Sequence, residues 1–134
     1  LQYHMLFEAV QLYVIVSQTH SLAGKKSISI SEALEYPLTY YTAVPKKSVF
    51  RNIYDSKRPL KVQNRDELFL VLKNNKHFSL LTLTSNSKNP EFCYIPITDN
   101  AFKMNVCAIF PSSTALSKQE IELLEFLKNT VHFI

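Results

Sequence analysis

Glycine is nearly absent from the sequence, which contains one glycine, Gly24, among 134 residues. Glycine-rich phosphate-binding loops need several glycines at fixed spacing, so the chain has neither a P-loop nor a G-x-G-x-x-G motif. Turns must instead be built from Asn, Asp, Ser and Pro, as in the polar segment at 85–90. No nucleotide-binding motif is present, and no cofactor is predicted.

Long apolar runs and blocks of like charge are also lacking. The apolar run at 12–16 is far too short to span a bilayer, and no signal-peptide pattern opens the sequence. We therefore expect a cytoplasmic protein with no membrane partner. The net charge is only +4 and the lysines are scattered, which favours a solvated surface over a nucleic-acid footprint.

Cysteine and histidine are few, and their spacing indicates no reactive site. Cys93 and Cys107 lie in separate apolar runs, which predicts two buried, reduced thiols, although the sequence leaves a disulfide open. No two of the four histidines are spaced i, i+4, and none joins a Cys/His cluster. A Gly-x-Ser-x-Gly elbow is absent as well. Neither a metal site nor catalytic residues are predicted, and we expect a protein that is not an enzyme.

Strand-like and helix-like segments alternate along the chain. Strands are predicted at apolar or extended segments, namely 12–16, 38–41, 60–63, 78–83, 92–97 and 105–110. Helices are predicted after Ser29, Asn64 and Ser117, each of which is an N-cap residue with a glutamate three positions later. A further helix is predicted over 46–56. This order is typical of an α/β fold with a largely parallel sheet.

The ends and faces of two helices can also be predicted. The helix after Asn64 should end near Asn74 and Asn75, because asparagine can adopt the left-handed C-cap conformation in place of glycine. The helix after Ser117 should bury one apolar face. That face consists of Ile121, Leu124, Leu127 and Val131.

The order of segments between 12 and 38 resembles the effector-binding domain of LysR-type transcriptional regulators. An apolar strand leads into a His-Ser-Leu-Ala turn that begins at His20, then a short capped helix, and then a second strand entered through Pro37. In that family the turn is usually His-Pro-Leu-Ala, so Ser21 replaces a proline. This resemblance points to a sensor.

The resemblance extends over nearly the whole chain. Residues 60–83 resemble the strand, capped helix and strand of the family's second lobe, 92–97 resemble the return crossover, and the helix after Ser117 resembles the closing helix. The sequence departs from the family at 75–77, where Asn-Lys-His replaces Gly-x-Gly. It departs again at Thr82, where the family usually has proline after leucine.

The resemblance implies a periplasmic-binding-protein-like (type 2) two-lobe effector domain. It assigns residues 1–17 to the end of the first lobe, 18–97 to the second lobe, and 98–134 to the return to the first lobe with its closing helix. The family's winged helix-turn-helix and the opening units of its first lobe have no counterpart in this sequence. We therefore expect a fragment with an incomplete first lobe, which would contact DNA only through a winged helix-turn-helix absent from this chain.

The function implied by the resemblance is allosteric sensing of a small-molecule effector. The metabolite would bind between the lobes, change their orientation and repack a homo-oligomer, expected to be a dimer, that carries the DNA-binding heads. One alternative is a transport-type solute-binding module of the same architecture. Another is a small basic nucleic-acid-binding protein, which would bind any duplex with steep salt dependence.

Candidate ligand-binding residues lie in two loops, because ligands of such folds meet the carboxyl ends of strands and the N-termini of helices. They are Thr42, Lys46, Ser48, Gln63 and Asn64. The first loop resembles the family's effector loop: its two hydroxyls could donate hydrogen bonds and Lys46 could pair with a carboxylate. The alternatives are a solvated first loop and a purely capping role for Asn64.

Overall fold

A computed structural model of the chain describes residues 1–41, 59–111 and 115–134. The strands are β1 (Gln2–Val10), β2 (Leu12–Ser17), β3 (Thr39–Tyr40), β4 (Leu60–Lys61), β5 (Ser79–Thr82), β6 (Phe92–Pro96) and β7 (Met104–Phe110). The helices are α1 (Ile30–Ala33), α2 (Arg65–Leu72) and α3 (Lys118–Thr130), with a 3-10 helix at Asn100–Phe102. The prediction of a helix over 46–56 lies outside the described residues. The chain has the α/β architecture that its alternating pattern predicts.

Strands β5, β2 and β6 form a three-stranded sheet, and β3 and β4 form a separate pair beside β5. These five strands together are called the main sheet below. Strand β2 lies between β5 and β6 and is antiparallel to both, so β5 and β6 run in the same direction. Strands β3 and β4 are parallel, and a parallel bridge joins Leu38 to Phe78 just before β5. The prediction of a largely parallel sheet is therefore wrong: both ladders of β2 are antiparallel, and only β3 and β4 form a parallel ladder.

Strands β1 and β7 form a separate antiparallel pair, called the ribbon below. Residues 12–17 form β2 at the centre of the main sheet, because a continuous apolar run needs cover on both faces, and a central strand receives it. The assignment of residues 1–17, 18–97 and 98–134 to lobes stays a prediction. The chain passes from the ribbon to the main sheet at Gln11.

The apolar core lies around the main sheet. Val14, Ile15 and Val16 of β2 are completely buried. Val14 and Val16 belong to the larger cluster, which includes Phe78 and residues of α1, whereas Ile15 packs with Leu68 and Leu72 of α2 on the other face. The alternation of β2 side chains between two clusters is the expected geometry of a strand covered on both sides.

All three predicted N-caps are confirmed. The side-chain oxygens of Ser29, Asn64 and Ser117 accept hydrogen bonds from the backbone N–H three residues later, at 3.2, 2.9 and 3.1 Å. At Ser117 the glutamate side chain also accepts from the Ser117 N–H at 3.1 Å, which completes a capping box. Each cap satisfies N–H groups that have no partner within the helix.

Three local predictions were wrong. On α3 only Leu124 is buried, and Ile121 is 46% exposed, because the ribbon covers a narrow part of the helix. The two thiols were predicted to be buried, but Cys93 is half-buried and Cys107 is exposed, since β7 leaves one face uncovered; both are free. Asn74 has no left-handed backbone; its side chain instead accepts from the N–H groups of Lys76 and His77, at 2.9 and 3.2 Å.

Candidate functional site

The parallel pairing of β3 and β4 brings two chain segments to one edge of the main sheet. Tyr40 lies opposite Lys61, and the Val62 N–H donates to the Tyr40 carbonyl at 2.8 Å. Because the strands are parallel, Tyr41 and Gln63 leave the sheet at the same end. Carboxyl ends of neighbouring parallel strands are where ligands bind in open α/β sheets.

The structure reaches only one side of the predicted site. Thr42, Lys46 and Ser48 lie outside the described residues, and their ligand-binding role stays a prediction. Gln63 and Asn64 lie together at the start of α2, and both are exposed. A ligand at this sheet edge would therefore find both side chains accessible.

Hydrogen bonds at the start of α2 define what Asn64 and Gln63 can offer. Asn64 Oδ1 accepts from the Glu67 N–H at 2.9 Å, so this oxygen serves the helix. The Gln63 N–H donates to Glu67 Oε2 at 2.8 Å. A carboxylate thus already occupies the position where an anion would meet the first N–H groups of this helix. The Gln63 side chain remains the stronger ligand candidate of the two.

Gln11, which is not among the predicted site residues, lies where the chain passes from the ribbon to the main sheet and contacts the passage that returns at Ile97. Its side-chain amide donates to the carbonyls of Leu12 and Ile97, both at 2.8 Å. The Ile97 N–H donates to the Leu12 carbonyl at 3.1 Å. The outgoing and returning chains are therefore held side by side. The available signal was one polar residue between two strand-like segments.

Asp99, on the returning chain, supports the second passage. Its Oδ1 accepts from the Ile30 N–H at 2.9 Å, at the first residue of α1. This contact joins residues 69 positions apart in sequence. The partner of Asp99 could not be identified from the local sequence pattern. The hydrogen bond fixes the returning chain against the helix that follows the His-Ser-Leu-Ala turn.

His20 is a structural residue of that turn. It is 4% exposed, its Nδ1 accepts from the Leu22 N–H at 3.0 Å, and its ring packs on Tyr36 with centroids 4.7 Å apart. The proton of the neutral ring is therefore on Nε2, which has no hydrogen-bond partner among the described residues. Burial lowers the pKa of His20, and the nearby backbone of Lys76 opposes this in part.

An open cavity of about 580 Å³ lies where the ribbon meets the end of the chain. Its walls are the last residues of β1, Gln11, Lys128 of α3 and the segment 131–134. Phe7 and Phe133 form an edge-on pair there, with ring centroids 5.0 Å apart. The cavity is separate from the residues at 62–64 that end the main-sheet edge.

Within the ranges that the structure covers, no helix is both long and apolar enough to cross a membrane.

The ion pair between Lys25 and Glu32 is exposed: each group stabilises the charge of its partner, which raises the pKa of Lys25 and lowers that of Glu32. Neither residue lies at the start of α2 or at Gln11, so this pair contributes nothing to those sites.

Comparison with solved structures gives the same fold. HinK, a LysR-family transcriptional regulator from Pseudomonas aeruginosa, matches 96% of this chain at a TM-score of 0.68 and 12% identity. The CcmR regulatory domain of Synechocystis, solved in complex with 2-PG, matches 96% at 0.67 and 18% identity. The BenM effector-binding domain, solved with its effector benzoate, matches 96% at 0.66 and 16% identity. The predicted fold class is confirmed.

These matches cover only part of each relative. The chain spans 47% of HinK, 65% of the CcmR domain and 61% of the BenM domain. No protein-family model matches the sequence, and no curated protein does. At these identities the similarity shows a shared fold, and activity has to be argued from the site.

Proposed function

We propose that this chain is the effector-sensing part of a LysR-type transcriptional regulator. The observation that supports this most strongly is the fold similarity over 96% of the chain, which includes regulator domains solved with benzoate and with 2-PG. In this proposal the main sheet is the second lobe, and the ribbon with α3 belongs to the first. The solved relatives named above are regulators rather than enzymes.

The proposed effector is a small, anionic metabolite that binds at the edge where β3 and β4 end. Lys46 supplies the positive charge, and Thr42 and Ser48 supply hydroxyl donors. Gln63 extends the site from the start of α2, where it is exposed. The Glu67 carboxylate beside the Gln63 N–H makes the helix N-terminus itself a poor anion site. The negative charge of the effector is therefore bound by Lys46 in this proposal.

The proposed mechanism is a change in lobe orientation. Gln11 holds the two passages between the ribbon and the main sheet together, so both can bend as one hinge. An effector that contacts both lobes stabilises one orientation over the other, and this shift would change how DNA-binding heads elsewhere in the protein are placed.

We further propose that the protein is a homo-oligomer. The ribbon has only two strands, and Tyr3 and Ile109, which lie opposite each other in its register, are 66% and 56% exposed. A second copy of the chain could cover this apolar face. A dimer mass in light scattering would support the proposal, and a monomer at all concentrations would refute it.

The binding site is tested with a panel of aromatic and phosphorylated carboxylates that includes benzoate and 2-PG. A compound that binds should raise the melting temperature of the chain by mass action. Lys46→Gln should then weaken its binding about tenfold or more, because a hydrogen bond to a charged group is lost. Lys88→Gln, at an exposed lysine after β5, is the control. Equal affinity of the two variants would refute the role of Lys46.

A further inference from the structure

The last four residues, Val131–Ile134, connect α3 to the main sheet and are called the strap below. Hydrogen bonds attach the strap to the residues that follow β5. They run from the Ser85 N–H to the His132 carbonyl and from the Ile134 N–H to the Leu83 carbonyl, both at 2.9 Å, and flank an antiparallel bridge between Thr84 and Phe133.

Strand β2 holds the strap from a second side. The Tyr13 hydroxyl donates to the Ile134 carbonyl at 3.0 Å. Tyr13 itself is paired with Leu81 in β5 and with Pro96 in β6, so it belongs to the centre of the main sheet. The far end of the strap is therefore attached to the main sheet through both backbone and side-chain hydrogen bonds.

The strap is attached to α3 at its start and contacts the ribbon through Phe133. Helix α3 ends with the Val131 N–H donating to the Leu127 carbonyl at 3.0 Å, so the strap follows the helix without a linker. Phe133 packs edge-on against Phe7 of β1, with centroids 5.0 Å apart at an interplanar angle of 69°. The same residue thus pairs with the main sheet through its backbone and with the ribbon through its ring.

We propose that the strap is a restraint on lobe reorientation, a third connection between ribbon and main sheet beyond the two passages at Gln11 and Ile97. The two passages are bonded to each other and bend as one hinge, whereas the strap is a separate attachment that resists bending. Its hydrogen bonds are few and its residues 132 and 134 are exposed, so it can detach without unfolding the main sheet. This inference rests on the proposed function, because the reorientation of the two lobes is taken from it.

The test is an inter-lobe distance distribution, measured by pulsed electron spin resonance on the 134-residue chain. One spin label is placed on the natural Cys107 of the ribbon, which is exposed, and the other on Lys73→Cys after α2. Cys93→Ala removes the remaining thiol. The parent should give one narrow distribution, and Phe133→Ala should broaden it or add a second distance.

Tyr13→Phe is the milder variant, because it removes one hydroxyl and leaves the ring, and it should broaden the distribution less than Phe133→Ala. The matched controls are Phe126→Ala on α3 and Tyr3→Phe on β1, whose side chains are 61% and 66% exposed. Both controls should leave the distribution unchanged. A broad distribution in the parent, or unchanged distributions in folded Phe133→Ala and Tyr13→Phe, would overturn the proposal.

This experiment uses no effector, so its failure differs from failure of the proposed function. If the strap variants broaden the distribution while no carboxylate of the panel binds, the strap is supported and effector sensing is not. If carboxylates bind while the strap variants leave the distribution unchanged, effector sensing is supported and the strap is refuted.

Discussion

The main sheet and the ribbon are built from similarly apolar strands but differ in how much of each strand is covered. Ile15 of β2 is completely buried, whereas Ile109 of β7 is 56% exposed. On α3, Phe126 is 61% exposed although it belongs to an amphipathic helix. The main sheet therefore has a core of its own, while the ribbon presents apolar side chains that stay exposed among the described residues.

The largest effect on the free energy of unfolding should come from comparing the same substitution at two isoleucines, one in the main sheet and one in the ribbon. Ile15→Ala should lower the free energy of unfolding by about 2–5 kcal/mol, because it leaves a cavity between β2 and α2. In the monomeric chain, at concentrations too low for dimer formation, Ile109→Ala should change it by less than about 0.5 kcal/mol, because solvent already reaches the side chain. Urea titration of both variants measures the difference; equal losses would show that the ribbon is as well packed as the main sheet.

A smaller effect is expected at the junction of the two regions. Gln11→Ala removes two hydrogen bonds and leaves the Ile97 carbonyl without the side-chain donor, which should cost about 1–3 kcal/mol. Gln119→Ala, at an exposed glutamine of α3, is the control. If Gln11→Ala were no more destabilising than the control in urea titration, Gln11 would not hold the two passages together.

The pH dependence of the free energy of unfolding should reflect the lowered pKa of His20. The unfolded chain takes up a proton near the ordinary pKa of about 6.5, whereas burial lowers the pKa of His20 in the fold. The unfolded state therefore binds more protons between these values, and the free energy of unfolding should fall as the pH drops below about 6.5, levelling off beneath the folded pKa.

His20→Gln should flatten this part of the pH profile in denaturant titrations, whereas His132→Gln, at an exposed position of the strap, should leave it in place. A profile that stays as steep in His20→Gln as in the parent would show that another group titrates with folding, and that the buried turn of the main sheet is not its source.

The smallest effect is expected at the surface ion pair of the main-sheet region. Lys25→Gln removes the partner of Glu32, but both groups are exposed and screened by solvent. The melting temperature should stay within the measurement error, at low and at high salt. A clear salt-dependent loss would mean that surface charge, and not only apolar burial, distinguishes the two regions.

Local features of the fold were predictable, and features that depend on distant packing were not. The N-caps at Ser29, Asn64 and Ser117 could be predicted because a cap involves residues three apart. The exposure of Ile121 and Cys107 could not, since it depends on what lies against α3 and β7. Apolar periodicity shows which residues lie on one face of a helix or strand, but it does not show whether another element covers that face.

The candidate site shows the same division. Asn64 could be identified as a helix cap from its neighbours, and the pairing of β3 with β4 supports the predicted sheet edge. Gln11 and Asp99 bond to partners 86 and 69 residues away, and no local pattern identifies those partners. Such contacts are determined by tertiary structure, which a single sequence does not display.

The most direct test of effector sensing is made on the full-length native protein. DNA binding is measured by gel shift or anisotropy, without ligand and with a saturating carboxylate that binds this chain. Effector sensing predicts that the ligand changes the Kd for DNA by at least about fivefold, the lower range of allosteric coupling, and that Lys46→Gln raises the ligand concentration needed for half of this change about tenfold or more. An unchanged Kd for DNA at full ligand occupancy would contradict the proposed function.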